Sequence, residues 1–496
     1  MRKTFLKQLV MPGAAAVSPF KSWRYMKEIC ELEFEPLQRQ RMQRMALLRE
    51  LLVHSYRETD LYRSKLDEAG VNPIEVSYPR TFAKVPITGK EDLRKGFPDR
   101  QLARSHLTKW LRYSNTSGTT GRPLLLVQDV IDISYKYASI LRSRVLAGID
   151  PLSSQLRLTP NECQPCLPTG DSPEGTSPFG SERSSPSRRS SIFLFLEKQV
   201  VNPLFHKRQM LEPFWNGPAD NRPVDYDGYL KKINAAEPEI FTVYPVYAML
   251  LAKHLRRTGA SPPNLAGIID FSGGLCTPRM REFISEVFGA RTAQGCGGCE
   301  FARYGASCPQ DPDRMHLAES YCYVETVRND DTLCSPGEIG NVVVTSLHSR
   351  AMPIIRLEPG DIGRIFEEPC SCGRRSRRLE HAGRIHSLIR NADGRWVTAL
   401  ESWDKLFFIE GLEIFQLVQK DEQNYRLRLV PEPGKKVNKV QLDETLEALL
   451  GAGAKVQLET VGNLQSERSG KLQLVKSNTY SDFRSSAIRE QKVPIN

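Results

Sequence analysis

Residues Asn115-Thr116-Ser117-Gly118-Thr119-Thr120-Gly121-Arg122-Pro123 alternate hydroxyl side chains with glycine, between an extended run at 109–113 and an apolar run at 124–127. That pattern predicts a tight connection between two strands. Glycine lets the backbone approach a ligand closely, and Ser and Thr add donors to the main-chain N–H groups, so phosphate is a natural guest. A plain polar hairpin has the same composition. The order of residues is not that of a Walker loop, because no Lys follows the last Gly.

Further along, the pattern is that of an α/β protein. Residues 37–70 read as helical, with Leu48, Leu51, Leu52 and Tyr56 at helical spacing. Thr88-Gly89-Lys90 reads as a capped helix start, and 131–146 as an amphipathic helix. Strand-like 240–243 leads into a helix through Arg256, and 265–271 leads into a helix over 278–288, the rhythm of a βαβ sheet. Residues 342–345, 353–356 and 362–366 read as strands of a more antiparallel region. After about residue 385 come strands at 414–419, 425–430 and 455–459 and a helix at 442–450, a small α+β unit. Residues 165–191 are dense in Pro, Ser and Gly and read as a mobile insertion. The polar tail from 477 reads as frayed.

Composition narrows the function. At 496 residues, with 40% hydrophobic and 26% charged residues, the chain is an ordinary soluble globular protein of more than one domain. It has no apolar run long enough to span a membrane. Its first residues, with Pro12 and Gly13 in a weak apolar run, do not read as a secretory leader. The net charge is +11, yet the basic residues are scattered apart from Arg374-Arg375-Ser376-Arg377-Arg378, so no nucleic-acid or membrane partner is expected. Eleven cysteines in a chain of this size do not make a disulfide scaffold, and a reducing, cytoplasmic setting is expected.

The stretch TSGTTGRP resembles the phosphate loop of the adenylate-forming enzymes, and later segments follow in the order of the phenylacetate–CoA ligase-like branch. Ser272-Gly273-Gly274-Leu275 resembles the family's GGE-type turn, with Leu275 in place of the acid. Gly295-Cys296-Gly297-Gly298-Cys299-Glu300 resembles the segment ending in YGxTE, with Cys296 for Tyr and Cys299 for Thr. Arg356 through Gly360-Asp361 resembles RYRTGD. Gly383-Arg384-Ile385-His386-Ser387 resembles the GRxDD hinge, with His386 and Ser387 for its two Asp. Ser469-Gly470-Lys471 resembles the SGK that delivers a catalytic lysine.

The resemblance implies a large N-terminal domain (1–383) of mixed and parallel sheets with packed helices. A hinge would join it to a small C-terminal α+β domain (384–476). It implies ATP-dependent activation of a small-molecule carboxylic acid as an acyl-adenylate, followed by transfer to a thiol (CoA or a carrier protein) or an amine. Thr116, Ser117, Gly118, Thr119, Thr120 and Gly121 would hold phosphates. Glu300 would orient magnesium. Gly273 and Gly274 would pack on adenine, Asp361 would bind ribose, and Arg384 and Lys471 would act at the α-phosphate. Tyr244, Tyr247 and Cys296 are candidates for the acyl pocket. Cys308, His316, Cys370 and Cys372 form a Cys₃His zinc set of the kind some relatives carry, with Cys296 and Cys299 beside Cys370 and Cys372 as the rival set. A monomer or homodimer is expected. The altered motifs also leave open a degenerate fold kept as a scaffold, or an ATP-using enzyme with a non-standard nucleophile.

Overall fold

The computed structural model describes residues 21–107, 111–115, 124–160, 208–220, 222–467 and 470–479. The expected phosphate loop (116–121) and the insertion (165–191) lie outside the described residues. The strands expected on either side of the loop do form. β1 (Arg112–Asn115) and β2 (Leu125–Gln128) pair antiparallel, from Arg112 opposite Gln128 to Asn115 opposite Leu125.

Eleven strands make one sheet of two characters. In the first half β3 (Gln155–Leu158), β4 (Arg208–Met210), β5 (Ile240–Val243) and β6 (Ile268–Phe271) run parallel in the order β4-β3-β5-β6. The β5 side chains Ile-Phe-Thr-Val are all buried, as a parallel strand covered on both faces requires. The helices that follow β5 and β6, Pro245–Thr258 and Pro278–Phe288, each start on a proline and stop at a glycine.

β7 (Arg291–Gly298) belongs to both halves. Arg291 to Gln294 pair parallel with β6, and Gly295 to Gly298 pair antiparallel with β8 (Ala302–Cys308). From there the sheet continues antiparallel through β9 (Asp311–Leu317), β13 (Arg378–Arg384), β12 (Asp361–Phe366), β11 (Ile339–Ser346) and β10 (Cys322–Val327). A two-residue pair, β14 (Ile389–Arg390) with β15 (Trp396–Val397), leads into a four-stranded sheet of order β18-β17-β16-β19. Its strands are β16 (Leu412–Gln419), β17 (Asn424–Pro431), β18 (Lys455–Thr460) and β19 (Val475–Ser477). The apolar core under the parallel half runs without a break into this C-terminal unit, from Phe241 and Leu251 to Phe415, Leu449 and Leu474.

Four expectations change. The helix over 37–70 is two helices, Leu37–Glu58 and Asp60–Glu68, because Thr59 is extended. Residues 353–356 are not a strand. Arg356 sits at φ 46°, outside the β region, and its guanidinium is drawn inward to Glu325 (3.1 Å) and to the Ala83 carbonyl (2.7 Å). Most of the basic charge reads from sequence as a solvated surface, but the arginine run is largely turned inward: Arg374 pairs with Glu33 at 2.9 Å, Arg377 with Glu319 at 2.7 Å, and Arg378 with Asp311. Residues 477–479 belong to the sheet edge rather than to a frayed tail, with Ser477 and Thr479 hydroxyls donating to Gln419 at 2.8 and 2.9 Å. No helix among the described residues is long and apolar enough to cross a membrane.

Candidate active site

A cleft of about 260 Å³ opens where the C-terminal unit meets the large sheet. Asp361, Arg384 and Lys471, distant in sequence, all line it. The first two meet through strand pairing: Asp361 opens β12 and Arg384 closes β13, and the two residues are register partners. Arg384 reaches the Asp361 carboxylate at 3.1 Å, and His381, on the same strand, stands at 3.5 Å. Burial alone would raise the pKa of Asp361. The Arg384 charge, the His381 hydrogen bond and Lys90 outweigh it and hold the carboxyl well below its usual range. Asp361 is therefore an anion at any physiological pH, with oxygens able to accept further donors.

Lys471 enters from the C-terminal unit. Its loop is closed by backbone bonds from Gly470 N–H to the Glu467 carbonyl and from Glu467 N–H to the Lys471 carbonyl, each 2.8 Å. A methyl placed on Gly273 would stand 3.8 Å from the Lys471 ammonium. Gly273 and Gly274 line the cleft, but what Gly274 makes room for is a protein ring. A Cβ there would fall 2.4 Å from Tyr244 Cε2.

Cys296 also lines the cleft, and burial pushes its thiol up to about 12, so it is a neutral apolar wall and not a nucleophile. Cys299 does not line it and is disulfide-bonded, which removes the rival metal set built on Cys296 and Cys299. His386 faces the cleft as a neutral ring, its pKa lowered to about 4 by burial and by Arg384. Tyr244 lines the cleft, whereas Tyr247 is packed behind it against Phe214, with ring centroids 4.2 Å apart. Trp403 and Glu467 line the cleft without having been singled out from sequence. Neither belongs to a local motif: Trp403 lies in the helix Ala399–Leu406 and Glu467 in the loop before Lys471.

Glu300 lies outside the cleft wall, buried and 3.1 Å from the Lys90 ammonium. Its Oε1 has no hydrogen bond of good geometry. Magnesium takes one or two carboxylates together with phosphate oxygens. Glu300 suits that role only as one ligand among phosphates, with Lys90 displaced.

At the far end of β13 sits a second cluster. The donor atoms of Cys308, His316, Cys370 and Cys372 all lie within 4.8 Å of one another. Cys308 and Cys370 sulfurs are 3.8 Å apart, and Cys372 Sγ is 3.5 Å from His316 Nε2. Zn–S bonds of about 2.3 Å in a tetrahedron put sulfurs about 3.8 Å apart, and the Cys308–Cys370 separation matches that spacing. The other ring nitrogen of His316 faces Ser376 Oγ at 3.1 Å, which fixes the ring. Around the cluster, Glu33 binds both Arg142 and Arg374, and Arg142 donates to the His316 carbonyl at 2.9 Å.

The fold is that of adenylate-forming ligases. The solved 2-hydroxyisobutyryl-CoA ligase in its postadenylation state with 2-HIB-AMP superposes with a TM-score of 0.67 at 19% identity, covering 89% of this chain and 92% of that one. The same ligase in its thioesterification state gives 0.56 at 21% identity, covering 91% and 93%. A model of the CapK C-terminal domain matches residues 392–478. Phenylacetate-coenzyme A ligase of Thermus thermophilus is 26% identical over 355 residues, 69% of this chain and 70% of that enzyme. The enzyme of the same name from Escherichia coli K12 is 26% identical over 365 residues, 72% of each. The chain is similar to phenylacetate–CoA ligases over about seven tenths of its length and shares the fold of an AMP-forming CoA ligase.

Proposed function

We propose that the protein activates a carboxylic acid with ATP as an acyl-adenylate, releases pyrophosphate, and passes the acyl group to a thiol, with CoA the acceptor favoured by its relatives. The observation that carries this reading is the convergence of Asp361, Arg384 and Lys471 on one cleft. Asp361 accepts hydrogen bonds from both ribose hydroxyls. The acid's carboxylate oxygen attacks the α-phosphorus, and the bond to the bridging oxygen of pyrophosphate breaks. Arg384 and Lys471 stabilise the charge that grows on the phosphate oxygens, which is positioning and electrostatics rather than covalent catalysis. The thiolate sulfur then attacks the acyl carbon and AMP leaves. The hydroxyl-rich loop 116–121, between paired strands β1 and β2, would hold the outer phosphates, and Glu300 magnesium beside them.

Zinc, bound by Cys308, His316, Cys370 and Cys372, would be structural, since four protein ligands leave no open position. The 383/384 boundary, at the last two residues of β13, is proposed as the hinge. A scaffold without adenylation is favoured by Leu275 and Cys296, which stand in the cleft where the resemblance calls for an acid and a tyrosine. ATP–pyrophosphate exchange across a panel of aryl and alkyl acids separates the two. Exchange with at least one acid is expected. Folded protein that exchanges with none, and does not bind ATP, contradicts the proposal.

A further inference from the structure

The loop that carries Lys471 is gripped by two tyrosines of the large unit. Tyr244 is the N-cap of the helix Pro245–Thr258, and Tyr247 follows three residues later, so both rings rise from one face. The Tyr244 hydroxyl donates to the Leu472 carbonyl and the Tyr247 hydroxyl to the Gly470 carbonyl, each at 3.2 Å. Gly470 and Leu472 are the two residues on either side of Lys471. The rings brace each other edge to face with centroids 5.1 Å apart, and both are buried, at 2% and 0% exposure. The missing side chain of Gly274 admits the Tyr244 ring. Further along the same helix, Lys253 donates to the Leu412 carbonyl and Arg257 pairs with Glu413 at 3.0 Å, both at the start of β16.

We propose that Tyr244 and Tyr247 are positioning residues that hold the Lys471 ammonium in the cleft. Neither touches the reacting atoms. They fix the peptide groups before and after the lysine, so the side chain leaves the loop in one direction. The catalytic part of this inference rests on the proposed adenylation. The positional part does not, because it concerns where one amine is held.

The test is the pair Tyr244→Phe and Tyr247→Phe, singly and together, which keeps the rings and removes the hydroxyls. Two readouts are made on the full chain. In the first, surface amines are acylated briefly and Lys471 modification is quantified by mass spectrometry against other lysines of the same sample. The double variant is expected to raise Lys471 labelling several-fold. In the second, pyrophosphate exchange is expected to lose about 10- to 100-fold in kcat with KM for ATP little changed, the signature of a misplaced group that acts in the transition state. Tyr62→Phe removes an equally buried hydroxyl, which accepts from Ile355 N–H at 3.0 Å in the other half of the molecule, and is the control for a general loss of packing. Unchanged Lys471 labelling in the double variant overturns the proposal, and so does a loss of kcat that Tyr62→Phe reproduces. If the wild-type chain exchanges with no acid, the adenylation reading falls, while the labelling result alone decides the role of the tyrosines.

Discussion

The two ends of β13 use the same residue types for opposite purposes. At its first end Arg378, 7% exposed, is paired with Asp311 beside Arg377, 10% exposed and paired with Glu319, and the Cys₃His cluster closes over them. At its last end Arg384, 37% exposed, meets Asp361 on the wall of an open cleft. The strand is seven residues long, so at roughly 3.4 Å per residue the ends are about 20 Å apart. Charges sealed from water fix the architecture, because removing one partner strands the other. Charges left half open keep their capacity for a ligand. The comparison teaches that a pair's exposure, rather than its distance, separates structural from chemical charge here.

Substitutions at each end should part stability from activity. The largest effect is expected from Glu319→Gln, which leaves Arg44 and Arg377 buried without a counter-charge. It should cost about 3–5 kcal/mol in chemical denaturation, with activity per folded molecule retained. Lys471→Ala should do the reverse, lowering pyrophosphate exchange by about 10²- to 10³-fold with little change in the melting temperature. Metal analysis should find one zinc per chain. With zinc at about a hundred times its Kd, chelation should remove about 2.7 kcal/mol of stability, and Cys308→Ser should abolish the difference between chelated and metal-loaded protein. Equal chelator effects on Cys308→Ser and wild type would place the metal elsewhere.

The last effect is a pH dependence. His348 stacks on Tyr135 with ring centroids 3.6 Å apart, and burial lowers its pKa to about 4. An unfolded histidine takes its proton near 6.5. Between those values the unfolded chain binds more protons, so stability rises with pH, and it is lost as pH falls from about 6.5 towards 4. His386, also at about 4, adds to the same slope. His348→Gln should flatten the dependence of the denaturation midpoint on pH over that window, and an unchanged slope would assign it to other groups.

Local chemistry was legible in the sequence; long-range pairing was not. Turn residues and apolar runs located β1 and β2, the helix over 278–288 and the C-terminal strands, because each depends on neighbours a few positions away. Cys308, His316, Cys370 and Cys372 were legible as a set because thiolate and imidazole are the side chains zinc selects, and the structure brings their donor atoms together. The division of β7 between two sheet halves leaves no local mark, since a strand reads alike in either. Nor does the inward turn of the arginine run, which depends on Glu33 and Glu319 far away in sequence. Residues 353–356 have the apolar content of a strand, but the pull of Glu325 on Arg356 decides their path. Tyr244 and Tyr247 read as acyl-pocket or packing residues because their partners, two backbone carbonyls, carry no sequence signature.

On the proposed function, the open end of β13 seats a nucleotide and the closed end does not. Calorimetric titration of ATP into wild type and Asp361→Asn tests it most directly. Wild type should bind, and loss of charged acceptor bonds worth about 1.5–3 kcal/mol each should weaken the variant at least 10-fold. Equal affinity in the two proteins, or no binding by folded wild type, would contradict the account.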